Sequence, residues 1–230
     1  MTFFNPTEPI LRNKQESLDY QDRQGLLRIH LRMGDKTLIS GFYTRIDQVF
    51  ILWGLISGFI FITAQFLPLS WVIQAFIWTA LTLIGTSVMV FLTHFWVKVE
   101  RLQWVLYCWV TLMLGGLVVT DLSIFLGWGE VLMRLCPLWL GLSAVGYFCT
   151  GVGMRSRAFI LAGFAHLCGI AVLPYTGSLQ FLSTGIMMAV SLLMFAEVQW
   201  DMRPPIEYNL LTLEQKQFNQ KQYQLRQLSL

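Results

Sequence analysis

Asp121, Arg134, Ser143 and His166 are the side chains of this sequence with both the type and the setting to do chemistry, because each is embedded among apolar residues. A charged group taken into lipid is costly, so it is a functional candidate by default. Ser143 and His166 are the minimum for nucleophilic catalysis, in which an imidazole removes the hydroxyl proton. Asp121 and Arg134 carry opposite charges. They can close on each other as an intramembrane ion pair that pins two helices, or they can hold a substrate or an ion. Arg134 can also pair with Glu130 at i, i+4. His94 and His166 fall at different depths on different helices, which does not make an axial haem pair. The sequence has no nucleotide-binding loop, no HExxH and no acidic metal cluster, so no metal and no cofactor are expected. Cys108, Cys136, Cys149 and Cys168 lie in apolar stretches without a CxxC spacing and read as small buried hydrophobes.

The elements that must position these residues are membrane helices. Of 230 residues, 55% are hydrophobic and only 13% charged, against about 25% charged in a soluble domain. A span needs about 20 apolar residues. The stretches 49–67, 71–97, 102–127, 131–150, 158–173 and 179–200 qualify or nearly do, and none alternates like an outer-membrane strand. The fold expected is therefore an all-α membrane protein, a bundle of six transmembrane helices over 49–200. Nothing at the start reads as a cleaved signal peptide, so the first span should serve as the targeting signal. Of the 16 Lys and Arg residues, all but Arg134 fall in 1–48, in the second and fourth connections, or after 200. Basic residues are retained in the cytoplasm, which puts both termini inside. Trp71 and Trp128 should mark the outer interface, with Trp96, Trp104 and Trp200 at the inner one. Gly54 and Gly58 form a GxxxG suited to packing within the bundle.

The cytoplasmic ends carry weaker signals. Residues 1–48 form an N-terminal segment in which 27–43 alternates apolar and polar residues around Gly34-Asp35, a β-hairpin signal. With that two-residue loop, Leu31 faces Leu38 and Leu27 faces Phe42. Arg28 and Arg32 share the other face and are candidates for contact with lipid headgroups. Thr44 or Asp47 should cap the first helix. The tail, 201–230, is glutamine-rich and carries a capping box at Thr212 and Gln215. A net charge of +3 with acidic residues interspersed gives no basic face for nucleic acid.

Two resemblances bear on function. The Gly-x-Ser piece at Ser143 and the Ala-His-x-x-Gly piece at 165–169 resemble parts of the rhomboid intramembrane proteases, which would imply a serine hydrolase. Here, however, the two lie on consecutive helices, Ala144 replaces the glycine after the nucleophile, and no outer-loop Trp-Arg pair precedes them. Separately, Ser40-Gly-Phe-Tyr-Thr-Arg-Ile-Asp47, the run 157–169 and the exit 195–204 resemble an uncharacterised integral membrane family found mainly in cyanobacteria. Those stretches cover about a fifth of the chain, and the resemblance implies a multi-pass protein of a plasma or thylakoid membrane with no assigned activity.

The functional expectation is a non-enzymatic protein that acts by contact, as an accessory or assembly factor of a larger membrane complex, with the lipid bilayer as its other partner. A small-solute or ion transporter built on Asp121 and Arg134 is the alternative.

Overall fold

The computed structural model describes residues 3–5, 8–33, 36–204 and 209–228, with side chains throughout these except at 30–40. In chain order the elements are β1 (Leu11–Asn13), α1 (Tyr20–Arg23), β2 (Leu27–Met33), β3 (Lys36–Tyr43), α2 (Arg45–Phe66), α3 (Trp71–Val99) and α4 (Gln103–Phe125). There follow α5 (Gly129–Leu132), α6 (Leu135–Met154), α7 (Arg157–Val172), a 3-10 turn (Leu173–Leu179), α8 (Gln180–Glu197), β4 (Val198–Trp200) and α9 (Leu213–Leu228).

Among the described residues, five segments are long and apolar enough to cross a membrane: Arg45–Phe66, Trp71–Val99, Gln103–Phe125, Leu135–Met154 and Arg157–Glu197. The outer surface of these helices is apolar, with Leu55, Phe76, Phe91 and Val190 all exposed. Water would not tolerate such a surface and lipid does, so the chain is built as a multi-pass membrane protein. The last segment is 41 residues long, and a straight helix would set Phe159 and Phe195 about 54 Å apart. Their ring centroids are 4.5 Å apart. The segment therefore folds back on itself at the 3-10 turn, where Gly177 (φ 59°, ψ −121°) leaves the helical region.

Helix ends follow local chemistry. The Thr44 backbone N–H donates to Asp47 Oδ2 at 2.8 Å and Thr44 Oγ1 accepts from the Asp47 N–H at 3.3 Å, so α2 opens on a capping box. Ser70 Oγ accepts from the Ile73 N–H at 3.4 Å and caps α3. The span expected at 131–150 is instead the single turn α5 followed by α6. Pro137 explains the break: it lacks an N–H and is tolerated in the first turn of a helix, as it stands in α6, but not in the interior. The span expected at 179–200 ends at Glu197, because 198–200 leave the helix as β4 and pair antiparallel with β1 (Leu11 opposite Trp200). A pairing partner 189 residues away gave no local signal.

The hairpin forms with a changed register. Met33 faces Lys36 and Arg32 faces Thr37, then an irregularity shifts the pairing so that Leu31 faces Ile39 and Leu27 faces Tyr43. The expected partners Leu38 and Phe42 are each displaced by one, the signature of an extra residue in one strand. The Gly34-Asp35 turn itself lies outside the described residues. Trp71, Trp104 and Trp128 are exposed, whereas Trp96 is 7% exposed and turned inward rather than lying at the lipid interface.

Close helix approach is set by small residues. Gly54 and Gly58 of α2 face α8: a Cβ at Gly54 would lie 3.0 Å from Leu193 Cγ, and one at Gly58 3.7 Å from Ala189 Cβ. The GxxxG is used within the chain. Gly146 of α6 lies under the Trp109 ring of α4, where a Cβ would come within 2.5 Å of the indole. That indole cannot swing away freely, because its Nε1 donates to Thr150 Oγ1 at 2.9 Å and its ring meets Tyr147 edge-on at 5.6 Å. Gly146→Ala is therefore expected to cost about 1–3 kcal/mol by overpacking, seen as a lowered unfolding temperature in detergent. Gly115→Ala, one turn along the neighbouring helix and with nothing within 4 Å of its Cβ position, should be neutral or slightly stabilising.

Candidate functional site

Both chain ends and two of the connections meet at one end of the bundle. The start of α2, the end of α3, the α6–α7 junction and the exit from α8 all face the N-terminal segment or α9 there. The opposite end gathers Gln65, Trp71, Phe76, Phe125 and Phe181, as the contacts Gln65–Ser178, Trp71–Phe181 and Phe76–Phe125 show. The capped end is where the buried polar groups collect.

Its charged centre is a relay between distant segments. Arg226 of α9 forks onto Asp19, Nη1 to Oδ1 at 2.9 Å and Nη2 to Oδ2 at 3.1 Å. Asn219 of α9 donates to Gln21 Oε1 at 2.9 Å, and Gln21 Nε2 donates to Glu100 Oε1 at 2.8 Å just past α3. Arg203 donates to the Glu100 carbonyl and approaches its Oε2 at 3.9 Å. Trp96 Nε1 donates to Asp22 Oδ1 at 2.8 Å, tying α3 to α1.

A second knot forms on Asp201, which is 2% exposed. It accepts from Ser156 Oγ (2.9 Å), the backbone N–H groups of Arg157 (3.0 Å) and Ala158 (3.1 Å), and Arg157 Nε (2.8 Å). A carboxylate on the free N–H groups at the start of α7 is favoured by both hydrogen bonding and the helix dipole. The Asp201 N–H in turn donates to the Ile10 carbonyl at 3.1 Å, joining this knot to β1. A third contact, Lys14 Nζ to Asp47 Oδ2 at 2.9 Å, fastens the N-terminal segment to the capping box of α2.

Lys14, Asp19, Asp47 and Arg226 line a polar cavity of about 110 Å³ together with Arg12, Asp22, Trp96, Glu100 and Arg203. Arg12 Nε and Nη1 and Arg203 Nε have no hydrogen-bond partner there. Burial, reinforced by the neighbouring Asp19, pushes the Asp22 carboxyl up to about 7, against the pull of the Trp96 hydrogen bond and Arg226. Burial raises Glu100 to about 7 as well, although Arg203 and Gln21 favour its charged form. Both groups bind protons more tightly folded than unfolded. Their contribution to stability is complete below about 4 and is lost as pH rises through about 7. The chain with Asp22→Asn and Glu100→Gln should thus lose less thermal stability than the natural chain when pH is raised from 5 to 8, as read by unfolding in detergent. An equal loss in both would contradict the assignment.

The residues singled out in the sequence are placed differently. Asp121 Oδ2 accepts from Thr79 Oγ1 at 2.8 Å, and no ion pair among the described residues involves Arg134. Arg134 is exposed at the N-cap of α6 instead of a turn inside it. The restart of the helix near Pro137 is what carries it to the mouth of the bundle, so the expected Asp121–Arg134 pair does not form.

Ser143 and His166 do line one cavity, yet they are not hydrogen-bonded. His166 Nδ1 is 2.9 Å from the Ala162 carbonyl and its Nε2 has no partner. The base–nucleophile contact required of a catalytic dyad is missing. His94 is exposed on the outside of α3. Arg28 is exposed on β2, and the side chain of Arg32 is outside the described ones. No group of three or more His, Cys, Asp or Glu suited to a metal occurs among the described residues.

Sequence reasoning did not single out Asp19, Asp22, Glu100, Asp201 or Arg226, whose partners lie far away in the chain. The one local signal was Ser156-Arg157 at a helix start without an acidic cap of its own.

Compared with known proteins, the chain matches no family model, no curated protein and no solved structure.

Proposed function

We propose that this chain is a six-crossing membrane protein with both ends on the cytoplasmic side, acting by contact as an accessory or assembly factor of a larger membrane complex. One observation carries the reading: the charged and amide side chains of the capped end bond mainly to other segments of the same chain. At the capped end they clamp the two termini onto the bundle. Between the ends, Asp121 is held by Thr79 and His166 by Ala162. A carrier of ions or polar solutes needs ionisable or carbonyl groups lining a path at mid-depth, and the described residues supply no such line. What the fold offers a neighbour is a rigid polar platform above a lipid-facing bundle. The distribution of Lys and Arg favours a cytoplasmic position for that platform.

Purification in a mild detergent, followed by native electrophoresis and mass spectrometry, tests the reading. A stoichiometric complex whose other subunits fail to assemble in a strain lacking this chain is the expected result. A bare monomer, with membrane complexes intact in that strain, is the result that removes it.

A further inference from the structure

Beneath the cap lies a second cavity, of about 120 Å³, lined by residues of every long apolar helix of the bundle. Trp96 and Ile46 line both this cavity and the polar one above it, so they form the partition between the two. Towards the opposite end it adjoins a smaller space of about 50 Å³, with Trp53, Ser57, Met113 and Met188 bordering both. An apolar cavity of about 150 Å³ holds a benzene ring, so the two adjoining spaces, about 120 and 50 Å³, together match a ring bearing a short chain.

Three of the hydroxyls around it turn back onto their own helices: Thr93 donates to the Met89 carbonyl at 2.8 Å, Thr150 to Gly146 at 2.8 Å, and Ser57 to Trp53. The indole N–H groups of Trp96 and Trp109 are satisfied by Asp22 and Thr150. Two nitrogens have no partner, His166 Nε2 and Trp53 Nε1, although both atoms are buried and His166 is 0% exposed. A buried polar atom left unpaired costs about 1–3 kcal/mol, and two beside one cavity ask for a ligand.

Their chemistry specifies what kind. A carbonyl only accepts, so the contact of His166 Nδ1 with the Ala162 oxygen places the proton on Nδ1. Nε2 of the neutral ring is then an acceptor. The indole N–H of Trp53 only donates. A water held by these two nitrogens alone would sit at the lower limit of the two to four polar partners it needs, whereas a hydroxyl on an apolar body also fills the apolar space.

We propose that this cavity binds a lipophilic molecule of the phenol or alcohol class, with a hydroxyl that donates to His166 Nε2 and an oxygen that accepts from Trp53 Nε1. The site is independent of the contact role proposed above. It requires no partner protein.

The test uses the full chain in lipid nanodiscs and equilibrium dialysis of 4-butoxyphenol, with empty nanodiscs correcting for partition into lipid. Saturable binding at one site per chain is expected, about tenfold weaker in Trp53→Phe and in His166→Phe, the effect of one lost hydrogen bond. Butoxybenzene, which lacks the hydroxyl, should bind the natural chain about tenfold more weakly for the same reason. If His166→Phe does not fold, as judged by its melting profile, Trp53→Phe decides alone, since it keeps an aromatic ring in place. The proposal is overturned by an absence of saturable binding above the lipid blank. Equal binding of butoxybenzene, or a folded Trp53→Phe that binds like the natural chain, overturns it too.

Discussion

Replacing Arg226 with Met is expected to destabilise the chain by about 3–5 kcal/mol, the cost of leaving a buried carboxylate without its cation. The guanidinium spans both oxygens of Asp19, at 2.9 and 3.1 Å, and also donates to the Ser17 carbonyl at 2.6 Å. Each side chain of the pair is 10% exposed. Burial already raises the Asp19 pKa while Arg226 lowers it. Without Arg226 the group binds its proton more tightly when folded, so the loss should be larger at pH 8 than at pH 5. The double variant Arg226→Met with Asp19→Asn should recover most of the stability, because neither member of the pair is then a buried charge without its partner. Unfolding in detergent measures the energy. Tryptic cleavage after Lys216 and Lys221 shows whether α9 has come away, and faster cleavage is expected in the single variant alone.

Asp201→Ala should have the next largest effect, about 3 kcal/mol, because one carboxylate serves the hydroxyl of Ser156, two backbone N–H groups and a guanidinium. Its removal orphans the first turn of α7 and loosens the strand pair β1–β4 together. Asp201→Asn keeps one acceptor oxygen and should lose roughly half as much. Hydrogen exchange at the Arg157 and Ala158 amides reads the effect directly. Unchanged protection at both would show that the helix end does not rely on Asp201.

The apolar segments were legible because hydrophobicity over some twenty residues is a local property, and no tertiary contact is needed to see it. Gly54 and Gly58 were legible for a related reason: small residues one turn apart on an apolar helix have few uses beyond close packing. Local signals also gave the Thr212 capping box, present as mutual bonds of Thr212 and Gln215 at 3.0 and 3.3 Å, and narrowed the cap of α2 to Thr44 or Asp47, which together form a box. The cap was not legible. Arg226 and Asp19 are separated by 207 residues, and nothing near either distinguishes a buried partner from a solvated surface charge.

Counting from the helix ends puts Ser143 and His166 both near mid-depth, and they line one cavity, but such counting could not give side-chain direction. The imidazole closes on its own helix at Ala162, and its remaining nitrogen has no hydrogen-bond partner. Asp121 and Arg134 went astray through a shift of helix start near Pro137, a few residues that decide whether a charge lies inside the bundle or at its rim.

The central claim is that the two termini, the α3–α4 connection and the α6–α7 connection form one polar cap on a single side of the membrane. Cysteines placed singly at Gln24, Arg101, Arg155 and Lys221, and at Leu69, Gly127 and Tyr175, test it in a chain whose natural cysteines have been replaced. Labelling in sealed vesicles with a membrane-impermeant maleimide should divide them into those two groups, reactive from opposite sides. Reaction of position 101 or 155 from the same side as 69, 127 and 175 would contradict the account.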